Sequence, residues 1–242
     1  MKAEQKTFEF THHAYMGRED FIVSSCNQTA FRAVEAWPDW TFFALCLYGA
    51  KGCGKSHLAN LFKQRVMENA AKLYQLQFIQ ASNIAYYIPQ NLFAESPCLV
   101  IENFTDNIDN EAMFHLYNHY KDNGGYILIL SEKAPSHLKF NLPDLQSRIN
   151  AVPAIEIMQP DDEMITMLML KLFMDRQLKV SPEVLNYAVN NMTRSFSFTQ
   201  KLVAEADRIS LIKKSPITIN VIKEAIEMLN DGRQEDLFIS KE

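Results

Sequence analysis

A chain of 242 residues, 48% of them hydrophobic, is long enough for one large domain or a medium domain with a small one, and it is too apolar to be disordered. Seven glycines and nine prolines leave no room for a low-complexity or collagen-like segment. The net charge of −5 excludes nucleic-acid binding driven by bulk charge and leaves only a local basic patch for that role.

The opening residues contain "QKTFEF" (5–10), in which Phe8 and Phe10 alternate with polar residues. That pattern suits an edge strand, and it equally suits two aromatic anchors for an apolar pocket on a partner. The N-terminus has no apolar core of the signal-peptide kind, and no apolar run approaches the roughly 18 residues of a membrane span. Cys26, Cys46, Cys53 and Cys98 form no CxxC pair, so neither a zinc site nor a disulfide framework is expected. The chain reads as a cytoplasmic protein of a reducing compartment.

"FFALCLYG" (42–49) is a continuous apolar run, as in a strand buried on both faces. "GAKGCGKS" (49–56) follows, and it fits G-x-x-x-x-G-K-[ST] at every fixed position. The next stretch, 56–73, has helical spacing, with Leu58, Leu61, Phe62 and Val66 on one face. A strand, a glycine loop and a helix in that order make a phosphate cradle. Backbone N–H groups of Gly49, Ala50, Lys51, Gly52, Cys53 and Gly54 can curl around phosphate oxygens, aided by the positive end of the helix. Lys55 would reach the β- and γ-phosphates, Ser56 would ligate Mg2+, and His57 follows within the first turn. A plain glycine turn before a helix would not need the Lys-Ser pair. Cys53 sits inside the loop, where its oxidation would block a nucleotide.

Residues 76–81 read as a second strand, and 82–93 as a short helix stopped by Pro89. "CLVIEN" (98–103) is a third strand, ending in Glu102 and Asn103. Ligands of parallel sheets lie at such carboxyl ends. Glu102 can hold magnesium. Asn103 stands where a second acid would polarise water, and an amide cannot take a proton. A helix over 110–125 with a Gly-Gly stop, a strand over 126–131, a loop with short helices over 135–149 and a strand over 154–159 complete the alternation. His115 and His119 are spaced as a possible ligand pair, without a third ligand in view; a half-exposed polar face is the simpler reading.

Alternating strands and helices imply a three-layer α/β domain with a five-stranded parallel sheet. After Pro160 the pattern turns wholly helical: 161–178, 181–192, 197–214 and 218–230. Ser181 is expected as an N-cap before Pro182. The Met-rich run 164–174 reads as core at helical spacing. The expected organisation is an N-terminal segment 1–14, an α/β domain 15–160, a small all-α domain 161–230 and a polar tail 231–242.

With these motifs in place, the chain resembles AAA+ proteins of the DnaA/Hda family, and most of all the short alphaproteobacterial members of Hda type. Residues 17–31 resemble the family's nucleotide-edge segment, and 32–40 the stretch that follows it. "ILILSEKAP" (127–135) is similar to its sensor strand, with Glu132 in place of the usual Asp. "LPDLQSR" (142–148) resembles the segment carrying an arginine finger. The resemblance implies a P-loop AAA+ domain with a helical lid, ADP or ATP with Mg2+ as cofactor, and a homo-oligomer. It implies that Arg148 completes a neighbour's nucleotide site; on residue type alone Arg148 could equally serve a surface ion pair. It implies that Gln5, Phe8 and Phe10 dock on the sliding clamp of DNA polymerase III. The family's helix-turn-helix is not seen, so no sequence-specific DNA binding is expected. The lid helix of the family opens with an arginine; Ser197 stands there, and either Arg194, three residues earlier, substitutes for it or the contact is lost, as would fit a protein that works in its ADP form. The function implied is stimulation of the hydrolysis of DnaA-bound ATP, with weak or no turnover by this chain. The alternative is a helicase-loader-like or remodelling ATPase that hydrolyses ATP itself.

Overall fold

The computed structural model describes residue 18 and residues 21–69 and 75–239. Gln5, Phe8 and Phe10 lie outside the described residues, as do the bounds of the 1–14 segment.

Five parallel strands form one sheet: β1 (Ala44–Tyr48), β2 (Leu76–Gln80), β3 (Cys98–Phe104), β4 (Tyr126–Ser131) and β5 (Ala154–Glu156), in the order β2-β3-β4-β1-β5. The apolar runs are continuous because the strands are covered twice. Side chains alternate between two cores. Ala44, Cys46, Leu99, Ile101, Ile127 and Ile129 pack against α4 (Asn110–Asp122) and α5 (Pro143–Asn150). Leu45, Leu47, Cys98, Val100, Leu128 and Leu130 pack on α1 (Gln28–Glu35) and α2 (Lys55–Glu68). This gives the three expected layers. Helix α1 was not read from the pattern.

Between β2 and β3 the chain departs from expectation. Residues Ala81–Tyr86 form a 3-10 turn, and Pro89 starts a separate helix, α3 (Pro89–Glu95). A proline at the first helical position loses no hydrogen bond, so it opens this helix rather than stopping one. Strand β3 also runs beyond Asn103. Its pairing with β4 slips between Ile101 and Phe104 and resumes at Phe104 opposite Ser131. Glu102 and Asn103 occupy this bulge, and Asn103 takes the left-handed φ of 54°.

Beyond Pro160, α6 (Asp162–Asp175), α7 (Pro182–Asn191), α8 (Phe196–Lys213) and α9 (Ile219–Ile239) enclose a third core, built on Ile165, Met169, Phe173, Phe198, Leu202 and Ile222. The Met-rich run divides: Met164 and Met169 are buried, while Met167 and Met174 face outward. Asp161 caps α6 by accepting from the Met164 N–H at 2.8 Å, and Ser195 caps α8 by accepting from the Phe198 N–H at 3.1 Å. Ser181 precedes α7 without a side-chain cap bond; Pro182 alone sets that start. Helix α9 continues to Ile239 instead of ending at 230, so the tail is helical over most of its length. No helix among the described residues is long and apolar enough to cross a membrane.

Candidate functional site

The glycine loop leaves β1 beside the point where the sheet order reverses, since β1 lies between β4 and β5. Parallel sheets open a crevice there. Gly49 has its N–H on the Ser131 carbonyl at 3.2 Å, tying the loop to β4. A Cβ at Gly49 would stand 2.3 Å from the Ile157 carbonyl oxygen, so only glycine fits. Gly52 and Gly54 hold φ of 82° and 103°, the left-handed region that L side chains resist. The Lys55 ammonium donates to the carbonyls of Gly49 (2.6 Å) and Ala50 (2.9 Å), so its charge sits inside the curl of the loop.

Beside the loop lies a cleft of about 890 Å3. Lys51, Gly52, Gly54, Lys55, Ser56 and His57 line it from the loop and α2, Glu102 and Asn103 from the β3 bulge, and Glu132 from the end of β4. The opposite wall is helical: Leu168, Lys171 and Leu172 of α6, and Thr193, Arg194, Ser195, Phe196, Ser197, Gln200 and Lys201 at the start of α8. Phe21 and Ile22 close one end; Phe21 stacks on Phe31 at 5.4 Å and meets the His57 ring edge-on at 5.0 Å. The buried Asn27 fixes this segment, donating to the Ile22 carbonyl and accepting from the Ser24 N–H, each at 2.9 Å.

The two walls touch. The Phe196 N–H donates to the Gly52 carbonyl at 3.1 Å, and a Cβ on Gly52 would stand 2.9 Å from the Ser195 Cβ. The glycine is therefore needed both for its φ and for the approach of α8. At the bulge, Gln80 of β2 bridges both residues in question. It donates from Nε2 to Glu102 Oε2 at 2.9 Å, and its Oε1 accepts from Asn103 Nδ2 at 2.7 Å. This amide presents the Glu102 carboxylate in one orientation. Ser131, fully buried, donates from Oγ to the Phe104 carbonyl at 3.0 Å and locks the bulge to β4.

Two expectations, for Arg194 and Cys53, change with this geometry. Arg194 does line the cleft, but it grips Asp162 through Nε and Nη2, and the guanidinium holds the Asp162 carboxyl below the usual carboxylate range. Its charge is committed to the start of α6. Cys53 is 1% exposed, with its sulfur in the core, and burial raises its thiol pKa despite Lys55 nearby. An oxidant cannot reach it while the loop is folded. His115 and His119 border a separate groove with Asp122, but no cluster of three metal-ligating side chains exists among the described residues. His119 instead packs edge-on against Phe93 at 5.4 Å.

Arg148 is not at this cleft. It is half-buried on α5 with its guanidinium carbon 4.9 Å above the Phe114 ring and 5.9 Å from that of Tyr117, both on α4. Missed by sequence reasoning were Gln80, Lys171, Lys201 and the Asn27 clamp. Only Lys201 carried a signal, being four residues after Ser197 on one helix face.

A parallel sheet of this order, with a phosphate loop after its first strand and helices facing the loop, defines the AAA+ class of nucleotide-binding folds. No family model matches the chain. The chromosomal replication initiator protein DnaA of Bacteroides thetaiotaomicron is 25% identical over 228 residues, which are 86% of this chain and 48% of that protein. The chain thus spans about half the length of the DnaA relatives it matches. Domain III of the Thermotoga maritima replication initiation protein DnaA superposes with a TM-score of 0.77 at 21% identity, over 90% of this chain and 97% of the other. AMPPCP-bound DnaA from Aquifex aeolicus gives 0.68 at 18% identity, over 95% of this chain and 73% of that one. The particular fold is therefore the DnaA-like form of the AAA+ ATPase fold.

Proposed function

We propose that this chain is a DnaA-related AAA+ regulator of replication initiation, of the short Hda type, that binds a nucleotide itself and acts on the ATP held by DnaA. The observation that carries the reading is the division of its chemistry. The phosphate loop, Ser56 and Glu102 share one cleft, while Arg148 stands on the α4–α5 face, away from it. A cation that cannot serve its own cleft is suited to a neighbour's. A rigid guanidinium supplied in trans stabilises charge on a transferring phosphoryl group and can raise hydrolysis by roughly 10³- to 10⁵-fold.

The nucleotide is ADP or ATP, with Mg2+ held by Ser56 and Glu102. The AMPPCP in a DnaA of the same fold supports an adenine nucleotide. Residues 15–160 form the nucleotide-binding domain and 161–230 the lid, with α9 extending that unit. Asn103 at the bulge makes the cleft a nucleotide-reading site with weak turnover, because an amide cannot act as general base. Gln5, Phe8 and Phe10 dock the protein on the sliding clamp, and the chain works as a homo-oligomer in the cytoplasm.

The test is hydrolysis of DnaA-bound ATP with and without this protein and clamp on DNA. Stimulation by the wild type that is lost in Arg148→Ala is the expected result. Stimulation that survives the substitution overturns the finger. The other reading, a helicase-loader-like ATPase, is favoured by the Glu102 carboxylate beside the loop; rapid steady-state turnover by the purified chain alone would establish it.

A further inference from the structure

We infer that Phe114, on α4, is a positioning residue for Arg148: its ring carries the guanidinium while leaving the N–H groups free to meet phosphate oxygens on a neighbouring molecule. The inference rests on the role proposed above for Arg148 in trans, and adds to it the group that holds the side chain ready.

On α5, Leu145 and Ile149 flank Arg148 in sequence, and both are buried in the core that also holds Met113, Leu116 and Tyr117 of α4. The guanidinium carbon stands 4.9 Å from the centre of the Phe114 ring and 5.9 Å from that of Tyr117. Among the described residues no hydrogen bond and no ion pair holds this side chain. An acid is at hand: Asp144 lies four residues earlier on α5, in the order and spacing at which acid–base pairs form on a helix. The guanidinium takes the rings instead.

The choice of partner matters chemically. A carboxylate would occupy donors of the planar fork, and that pair would have to break before the arginine could reach a phosphate. A ring attracts the cation through its quadrupole and accepts none of its N–H groups in the ordinary sense. The rings are themselves held. Tyr117 is buried and meets Phe43 at 4.8 Å, and half-buried Phe114 packs on the same core with its ring 5.8 Å from that of His115. Fixed rings limit where the cation on them can go, which is what a group acting on a partner's phosphate needs. Tyr117 belongs to the core, so Phe114 is the ring whose change tests the contact.

The experiment measures hydrolysis of DnaA-bound ATP at rising concentrations of the full chain, with clamp on DNA, for the wild type, Phe114→Leu, Phe114→Met, Phe114→Tyr and Arg148→Ala. In Phe114→Leu the maximal stimulated rate falls by roughly 3- to 10-fold, while the concentration giving half of it stays at the wild-type value. Phe114→Tyr keeps the ring and most of the rate. Phe114→Met carries the same expectation as Phe114→Leu, so a folding defect in one, seen in its melting temperature, leaves the test standing. A wild-type rate in both ring-less variants, with Arg148→Ala still defective, overturns the positioning role and leaves the finger. A change in the half-saturating concentration alone makes Phe114 a docking contact and overturns the role as well. Equal losses in Phe114→Tyr and Phe114→Leu overturn the part played by the ring. Stimulation that survives Arg148→Ala, or is absent in the wild type, overturns the finger itself and this inference with it.

Discussion

Phe196 donates its backbone N–H to the carbonyl oxygen of Gly52 at 3.1 Å, joining the first turn of α8 to the middle of the phosphate loop. Whatever moves the loop is felt by α8, and the reverse. Gly52→Ala would place a Cβ 2.9 Å from Ser195 and impose a left-handed φ on an L residue. The expected outcome is a loss on the order of 2 kcal/mol in chemical denaturation, and loss of the melting shift with ADP. Ser195→Ala removes only the cap on the Phe198 N–H and is expected to cost about 1 kcal/mol while keeping that shift. Equal behaviour of the two variants would argue that the loop and α8 are not coupled.

Gln80 lies 22 residues from Glu102, yet its amide serves both Glu102 and Asn103. Gln80→Leu keeps the volume and leaves the carboxylate unoriented. If Glu102 holds magnesium, ADP affinity in Mg2+ should fall several-fold, while affinity in EDTA should stay at the wild-type value. An equal fall in both conditions would remove Glu102 from metal binding.

Arg148→Ala is informative only if the variant folds. Its contacts are to the faces of Phe114 and Tyr117, worth about 0.5–1 kcal/mol at a half-exposed position. The denaturation midpoint should shift little, so a loss of stimulated hydrolysis would be a loss of chemistry. Arg148→Lys keeps the charge without the planar fork and should recover only part of the stimulation.

The parts of the fold that were legible in the sequence are those written in contiguous residues. The apolar runs of β1, β3 and β4 reflect strands covered on both faces, and the glycine loop carries its whole pattern within residues 49–56. Pro89 was misread because proline both ends helices and opens them, and only the extended backbone of Ile88 tells which. The bulge at Glu102 and Asn103 reads in the sequence as the end of the strand, because two polar residues break the apolar run before buried Phe104 resumes it. The pinning of Arg194 by Asp162 spans 32 residues, and the seat of α8 on Gly52 is a backbone contact to which side-chain identity is blind.

Burial pushes the thiols of Cys46 and Cys98 up to about 12, from an ordinary value near 9. Both lie in the central sheet with exposures of 1% and 0%. A raised folded-state pKa means that the native protein holds the proton more tightly than the unfolded chain. The stability this gives is fully present below pH 9 and is lost as pH rises through 9 toward 12. Each thiol should contribute a slope of about 1.4 kcal/mol per pH unit in that window. Cys46→Ala and Cys98→Ala each cost stability at pH 7 through the cavity they leave, but each should flatten the alkaline slope of the unfolding free energy. A slope unchanged in the double variant would mean that the thiols do not govern alkaline unfolding. Under native conditions at pH 8 neither thiol should react with an alkylating reagent, since the thiolate is the nucleophile and neither sulfur is accessible.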